Sequence, residues 1–430
     1  MADFSSRLNK VIPGGCHTYS RGDDQYPINA PQILEKGKGA YVWDPEGNKY
    51  LDYGMALRAV TLGYDYERVS DAAIKQIRYG NNLTRASLVE LEAAEIMVGL
   101  FEGMDMVKFA KNGSSVTTAA TKISRAYTGR KMIARCAQHP FFSFDDWFIG
   151  DTPLTRGIPQ EEINNTVNFN FNDIKSLELL FSKYKNQIAC VILEPATTVE
   201  PINNFLHKVK DLCHKNGAVF ILDEMITGFR FGLHGAQKYY NIVPDLCTFG
   251  KGMANGFSVA ALMGKREIME IGGIKNEGVE RVFLVSTTHG AEMCGLGALV
   301  ETIKVIQDEN VIDHFWSYGK KLIDGMNFIS KDLGLSEYFY VEGTPVNPNY
   351  ICKDIDGISL PFRTLFSQEM IKNRVLMPWI AISYAHEEKE LDITLKAVYN
   401  SLRVYKEALR LGVEQFLEGD AIKPVFRKYN

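Results

Sequence analysis

The 430-residue chain has little that would mark it as a secreted, metal-binding or membrane protein. Its seven cysteines contain no CxxC pair, and their odd number and wide spacing argue against a disulfide framework and against a zinc site. The stretch MADFSSRLNKVIPGG has no apolar core of the signal-peptide kind, and no later run is apolar for long enough to span a bilayer. We therefore expect reduced thiols, no metal, no membrane and a cytoplasmic location.

The charge distribution and the lack of nucleotide-binding motifs each argue against one class of protein. The formal net charge is -4, with basic and acidic residues interspersed, so a nucleic-acid partner is not expected. No GxGxxG follows a predicted strand and there is no GxxxxGK[ST], which argues against a nucleotide-binding α/β enzyme.

Apolar runs in the middle of the chain predict an α/β core. CVILEP (190–195) and AVFILDEM (218–225) contain continuous apolar runs, each closed by acidic residues, which is typical of parallel strands buried on both faces. The helical spacing of FLHKVKDLCHKNG between them completes a strand–helix–strand unit. We predict a large domain over residues 76–320 with a mostly parallel central sheet. Residues 1–75 and 321–430 are predicted to form a small α+β domain from both chain ends.

Three short stretches near predicted strand ends contain residues that could bind a ligand or act in catalysis. Asp223 closes a buried strand, where a carboxylate is desolvated unless a cation faces it, although a helix cap is the ordinary alternative. Lys251 has glycine on each side, so a ligand could approach it closely, although loop lysines are common. KNGSS (111–115) opens onto a helical pattern and could bind phosphate, although a plain N-cap is commoner. Together, an amine, a buried carboxylate and a phosphate cup are the contacts that pyridoxal 5'-phosphate (PLP) requires.

Longer motifs carry a family resemblance. KGAYVWDPEGNKYLDY, RAYTGRK, LDEMITGFRFG, VPDLCTFGKG and STTHGAEMCGLGA occur in this order between IPGG (12–15) and about residue 410. In these motifs the chain resembles the class III PLP-dependent aminotransferases, and most closely the glutamate-1-semialdehyde aminomutase branch. The resemblance implies PLP fold type I and a homodimer whose active sites are shared between subunits.

The resemblance also implies roles for individual residues. Lys251 matches the lysine that forms the Schiff base with the cofactor and shuttles a proton, and Asp223 matches the carboxylate that pairs with the pyridine nitrogen. Met225 falls where the family packs an apolar side chain on one ring face. These three residues are predicted to form the centre of the site.

Further matches surround that centre. Gly113 and Ser114, with Ser115, match the turn that binds the phosphate. Thr287 matches a threonine that reaches the phosphate from the neighbouring subunit, and Glu194 matches a glutamate near the cofactor.

On the substrate side, arginines are the notable matches and additions. Arg21 aligns with an arginine that binds the substrate carboxylate in the aminomutase branch. Arg58 stands where the family has a small residue, and Arg85 is a second basic addition. Extra arginines would suit an anionic or polyhydroxylated carbonyl substrate, and surface ion pairs are the ordinary alternative.

Other departures affect the cofactor site. His139 takes the place of the tyrosine that stacks on the cofactor, and Phe141 or Phe142 would do so if the turn shifts. Ala291 and Glu292 replace an Asn-Pro pair, and Ser115 replaces a glutamate.

The resulting prediction is an aminotransferase that moves an amino group from an amino acid, with L-glutamate favoured, to a small-molecule carbonyl acceptor. The alternatives are a glutamate-1-semialdehyde 2,1-aminomutase and a catalytically silent PLP-fold binding protein. The intact lysine, aspartate and phosphate turn argue against the silent protein.

Overall fold

The computed structural model describes residues 3–429, which fall into two compact units. The large unit is Glu67–Ile312, and the small unit combines Met1–Tyr66 with Asp313–Asn430. The sequence-based domain boundaries at 75/76 and 320/321 stay a prediction.

Strands and helices alternate through the described residues. In chain order the strands are β1 (Lys36–Lys38), β2 (Tyr41–Trp43), β3 (Lys49–Asp52), β4 (Met106–Ala110), β5 (Met132–Cys136), β6 (Thr166–Phe169), β7 (Ile188–Leu193), β8 (Val219–Asp223), β9 (Leu246–Phe249), β10 (Ala260–Gly264), β11 (Phe339–Glu342), β12 (Asn349–Asp354), β13 (Gly357–Ile358) and β14 (Val375–Leu376). The α-helices are Phe4–Val11, Glu67–Arg78, Leu88–Leu100, Gly113–Thr128, Asp146–Ile149, Gln160–Asn164, Ile174–Lys183, Phe205–Lys215, Gly235–Tyr239, Arg266–Met269, Met293–Asp308, Val311–Asp332, Leu360–Lys372 and Glu388–Leu411. Short 3-10 turns are Tyr19–Arg21, Asp23–Gln25, Lys251–Ala254, Glu270–Gly272 and Val413–Gln415.

The large unit is built on a seven-stranded sheet of order β4-β10-β9-β8-β7-β5-β6. Strands β6, β5, β7, β8 and β9 are parallel, and β10 runs antiparallel to both β9 and β4. Every residue of β5, β7, β8, β9 and β10 is buried. Burial on both faces of the sheet explains why these strands have continuous apolar sequences. The predicted α/β class with a mostly parallel sheet is confirmed.

The helix Gly113–Thr128 shows how the large unit is covered. Its apolar and small residues, including Val116, Ala120 and Ile123, are fully buried, and its C-terminus is closed by Gly129 at φ 67°. Asn112 caps its N-terminus by accepting the Ser115 N–H at 2.9 Å. The helix therefore begins immediately after β4, at the edge of the sheet.

The small unit combines two antiparallel-rich sheets with helices, as predicted. Its first sheet has the order β1-β2-β3-β14, and its second has the order β11-β12-β13. Val42, Tyr50, Ile371 and Leu376 form a buried cluster beside the first sheet. Because β14 pairs in parallel with β3, this sheet joins the two ends of the chain.

Two general features concern the whole described chain. None of the helices among residues 3–429 combines the length and apolar character needed to cross a membrane. All seven cysteines are free thiols, five of them buried.

Candidate active site

The predicted site residues of the large unit gather at one edge of its sheet. Gly113, Lys251, Asp223, Glu194 and His139 occur at or shortly after the carboxyl ends of β4, β9, β8, β7 and β5. Strands β5, β7, β8 and β9 are parallel, and β4 shares their direction because β10 is antiparallel to both β4 and β9. All five residues therefore lie at the carboxyl edge, where open α/β sheets bind ligands.

Asp223 and Lys251 form the electrostatic centre of this edge. The Asp223 carboxyl group is 2% exposed, and its Oδ1 accepts from the Thr248 hydroxyl at 2.9 Å and from the Met225 N–H at 3.1 Å. Burial raises the pKa of Asp223 to about 6, while the Lys251 ammonium and these donors oppose the rise. Lys251 has a left-handed φ of 45°, which is uncommon for a residue with a side chain. The Lys251 charge therefore acts on the buried Asp223 carboxyl group.

Glycine allows the Met225 side chain to lie against two turns. A Cβ on Gly113 would be 3.1 Å from Met225 Sδ, and a Cβ on Gly250 would be 2.6 Å from the same atom. Met225 therefore occupies the space beside Gly113 and beside Gly250, the residue before Lys251. This contact brings two of the separately predicted motifs together.

Ser114 and Ser115 begin the helix that follows Asn112. The Ser115 N–H and hydroxyl both donate to Asn112 Oδ1, at 2.9 Å and 3.0 Å. Ser114 Oγ accepts the Phe144 N–H at 3.0 Å and is buried. The positive end of a 16-residue helix thus faces the carboxyl edge of the sheet.

His139 and Glu194 are joined by a hydrogen bond. The Glu194 N–H donates to His139 Nδ1 at 2.8 Å, so the neutral ring carries its proton on Nε2. Burial and the Arg135 guanidinium lower the pKa of His139 to about 3, which keeps the ring neutral. No residue in the described range accepts from the buried Nε2. Phe142 is buried and its ring centroid lies 6.0 Å from that of His139, whereas Phe141 is 49% exposed.

Glu224, next to Asp223, has a different environment. Its carboxyl oxygens accept from the Thr227 hydroxyl at 2.6 Å and from the N–H groups of Ala236 and Gln237 at 2.8 and 2.7 Å. Burial raises its pKa to about 7 despite these donors. Glu224 therefore anchors the start of the helix Gly235–Tyr239, and the two adjacent acids have separate tasks.

Two polar residues near the site were missed by the sequence reasoning. Thr248, which orients Asp223, is its direct neighbour in the β8–β9 register, so pairing the two strands would have found it. Lys111 forms an ion pair of 2.5 Å with Glu292, which also accepts from Asn81 at 2.8 Å. The substitution at Glu292 was visible in the sequence, but its partner 181 positions away was not.

The remaining predicted residues belong to other segments of the chain. Thr287 is exposed in the segment between the turn Glu270–Gly272 and the helix Met293–Asp308, and Arg85 is also exposed in the large unit. Arg21 and Arg58 belong to the small unit, at the ends of the turns Tyr19–Arg21 and Met55–Arg58.

Comparison with known proteins agrees with this geometry. The family model for class-III aminotransferases matches residues 21–337. A 3-aminobutyryl-CoA aminotransferase from Cloacimonas acidaminovorans is 31% identical over 93% of this chain and 96% of its own length. A glutamate-1-semialdehyde 2,1-aminomutase from Alkaliphilus oremlandii is 29% identical over 93% of this chain and 97% of its own length.

Solved structures share the fold. The FumI protein of Sphingopyxis sp. MTA144, determined in a PLP form, superposes with a TM-score of 0.86 at 26% identity and 98% coverage of both chains. A glutamate-1-semialdehyde aminomutase from Pseudomonas aeruginosa has a TM-score of 0.82 at 17% identity, with 94% coverage of each chain, and shows likeness of fold alone. The extent of the family match, together with the shared fold, shows that this chain belongs to the class III PLP-dependent aminotransferases, with aminomutases among its relatives.

Proposed function

We propose that the protein transfers an amino group from an amino acid, L-glutamate in the first instance, to a small-molecule carbonyl acceptor that carries an anionic or polyhydroxylated group. The observation that supports this most is the presence of Asp223 and Lys251 at the same carboxyl edge of the sheet, where the lysine charge opposes the burial that raises the pKa of Asp223.

Pyridoxal 5'-phosphate is the cofactor of the family, and the residues at this edge fit it. Gly113 and Gly250 let the Met225 thioether pack between their two turns, where it could lie against one face of a flat ring. The helix N-terminus after Asn112 suits a phosphate, and the buried Nε2–H of His139 lacks an acceptor within the described chain. We propose that Gly113, Ser114 and Ser115 bind the phosphate and that His139, Glu194 and Met225 enclose the ring.

When bound, the cofactor supplies an aldehyde that condenses with amines and a ring that withdraws electrons from the substrate carbon. The protein supplies proton transfer and charge. Lys251 Nζ would hold the cofactor between turnovers and then move a proton on the substrate. Asp223 would stabilise a protonated ring nitrogen, because a cation opposite the carboxylate cancels the effect of burial.

A second candidate is the aminomutase reaction, which several relatives near 29% identity catalyse according to their names. It would use the same residues but would retain the intermediate and return the amine to another carbon of the same molecule. The two-substrate reaction is favoured by the 31% identical relative, which is named an aminotransferase.

Spectroscopy of the purified protein tests the proposal. PLP-loaded protein should be yellow, and L-glutamate alone should convert it to the pyridoxamine form with release of one equivalent of 2-oxoglutarate. Borohydride should fix the cofactor to the peptide that contains Lys251, and Lys108→Ala, at an exposed position of β4, should leave this labelling intact. A protein that binds no PLP would refute the proposal, and turnover of glutamate-1-semialdehyde without response to any common donor would favour the aminomutase.

We also propose a homodimer with shared sites, in which Thr287 contacts the phosphate bound by the partner. Exposure of Thr287 in the single chain supports this. Mixing the inactive variants Lys251→Ala and Thr287→Ala tests it. A shared site predicts partial recovery, because one of the two sites in a mixed dimer is intact. Sites built within one chain predict none.

We propose a cytoplasmic location as well, which the seven free cysteines support. Fractionation of producing cells would test it, and recovery in an oxidising compartment would contradict it.

A further inference from the structure

A segment that follows β5 in the large unit is hydrogen-bonded to the start of the helix Gly113–Thr128. The segment comprises residues 142–147 and leads from β5 into the helix Asp146–Ile149. In the sheet order, four strands separate β4 from β5. The segment therefore extends over the carboxyl edge of the sheet to reach the helix that follows β4. We call residues 142–147 the crossing segment.

Two backbone groups of the crossing segment bind side chains in the first turns of that helix. The Thr117 hydroxyl makes its shortest hydrogen bond, 2.8 Å, to the Phe142 carbonyl. The Phe144 N–H donates to Ser114 Oγ at 3.0 Å. Thr117, Phe142 and Ser114 are all buried, so these bonds form away from bulk water. Because Ser114 Oγ is the acceptor, its position is fixed while its own proton can still be donated to a ligand.

Thr118 binds the second half of the crossing segment through its hydroxyl group. The hydroxyl donates to Asp145 Oδ2 at 2.5 Å and accepts the Trp147 indole N–H at 2.8 Å. The Ser143 hydroxyl lies 3.0 Å from the same oxygen and accepts the Asp145 N–H at 3.1 Å. Ser143 and Trp147 are buried, so loss of the Thr118 hydroxyl would leave polar groups of the segment without their partner in the interior.

The start of the helix lies near the middle of the carboxyl edge. A Cβ on Gly113 would be 3.1 Å from Met225 Sδ, and Met225 comes two residues after β8, the central strand of the sheet. Asn112 caps the helix from within its own segment, whereas the crossing segment connects the helix start to β5. The crossing segment therefore helps to fix where the helix start lies relative to the central strands.

We propose that Thr118 is a positioning residue that holds the crossing segment against the helix start, so that the Phe144 N–H orients the Ser114 hydroxyl toward a bound phosphate. The inference rests on the proposed function, because it takes the turn Gly113–Ser115 as the phosphate site of the cofactor. A donor that is already oriented loses less conformational freedom when the phosphate binds. Loss of the Thr118 hydroxyl therefore weakens the contacts to the phosphate and leaves the contacts to the ring unchanged.

A comparison of PLP with pyridoxal, which lacks the phosphate, tests this without requiring turnover. Each compound is titrated into the cofactor-free full-length protein and followed by absorbance. Thr118→Ala removes the hydroxyl, and Trp147→Phe removes only the indole N–H that this hydroxyl accepts. We expect the dissociation constant for PLP to rise about tenfold in Thr118→Ala and about threefold in Trp147→Phe, because an oriented hydrogen bond is weakened. The dissociation constant for pyridoxal should stay within about twofold of the wild-type value, since the ring contacts are independent of the segment. Thr118→Ser, which keeps the hydroxyl, should restore PLP binding.

Thr121→Ala is the matched control. Thr121 is buried in the same helix, and its hydroxyl donates to the Thr118 carbonyl at 2.9 Å, within the helix rather than to the crossing segment. It should bind PLP within about twofold of the wild type even if its thermal midpoint falls. Equal losses of PLP and pyridoxal affinity in Thr118→Ala and Trp147→Phe, no loss of either, or the same selective loss in Thr121→Ala would overturn the inference. If Thr118→Ala does not fold, Trp147→Phe and Thr118→Ser decide the outcome. A selective loss of PLP affinity in a protein whose wild type transfers no amino group would instead refute the proposed function and leave this inference intact.

Discussion

Replacing Asp223 by asparagine should stabilise the cofactor-free protein at neutral and alkaline pH. The folded-state pKa of Asp223 is about 6, against an ordinary value of 3.8. Because the pKa is raised, the folded protein binds more protons than the unfolded chain between pH 3.8 and 6, and stability falls as pH rises through this window. This rise in the pKa corresponds to about 3 kcal/mol. It is the free energy of unfolding that the protein loses at pH 8 by keeping the Asp223 carboxylate ionised and buried.

Asparagine should remove most of that cost without breaking local hydrogen bonds. Both donors, the Thr248 hydroxyl and the Met225 N–H, bind Oδ1, so a single amide oxygen in the same position could accept both. We expect the free energy of unfolding of cofactor-free Asp223→Asn at pH 8 to exceed that of the wild type by about 2–3 kcal/mol. The difference should shrink as pH falls and disappear below about pH 4.

Urea unfolding of cofactor-free protein at pH 4, 6 and 8 measures this directly. Saturation with PLP should stabilise the wild type more than the variant, because only the carboxylate pairs with a cationic ring. Stability of cofactor-free Asp223→Asn at or below the wild-type value at pH 8 would refute the reasoning.

Asp245, also in the large unit, is a control whose pKa is shifted in the opposite direction from that of Asp223. Burial raises its pKa, but the Lys265 ammonium at 2.6 Å and the Phe220 N–H outweigh burial and hold the pKa below its usual value. Its contribution to stability is therefore present above the ordinary pKa and is lost as pH falls. Asp245→Asn should destabilise the protein at pH 8, where Asp223→Asn stabilises it.

Three further predictions concern other parts of the molecule. Lys251→Ala should have no measurable turnover and no borohydride-stable cofactor, checked by absorbance and peptide mass, and normal rates would exclude the lysine from the reaction. Lys111→Met should raise the dissociation constant for PLP about tenfold. The reason is that Glu292 loses its 2.5 Å ion pair with Lys111, which directly precedes the proposed phosphate-binding turn. An unchanged PLP titration curve would show that this ion pair does not position that turn. Gly319→Ala should leave little folded protein, because the new Cβ would lie 1.8 Å from the Pro345 carbonyl oxygen, and a thermal midpoint near the wild-type value would contradict the packing of this helix.

Much of the fold was predictable because buried strands have continuous apolar runs that can be recognised in the local sequence. The runs CVIL and VFIL are apolar at every position, and they lie in the neighbouring parallel strands β7 and β8. Turn and cap residues were equally local, as with Asn112 before the helix Gly113–Thr128. The motifs also predicted the family and its cofactor, since a cofactor requires the same contacts wherever it is bound, and the match to the family model confirms both.

The sequence by itself determined the α/β class and the family, and it singled out Lys251 and Asp223 as candidate site residues, because each of these depends on short segments and their order. Only the tertiary structure decided which distant groups meet: Thr248 beside Asp223, Glu292 beside Lys111, and Trp147 beside Thr118. The reason is physical. Burial patterns and turns are set by neighbours along the chain, whereas side-chain pairs, desolvation and backbone strain depend on how separate strands and loops pack.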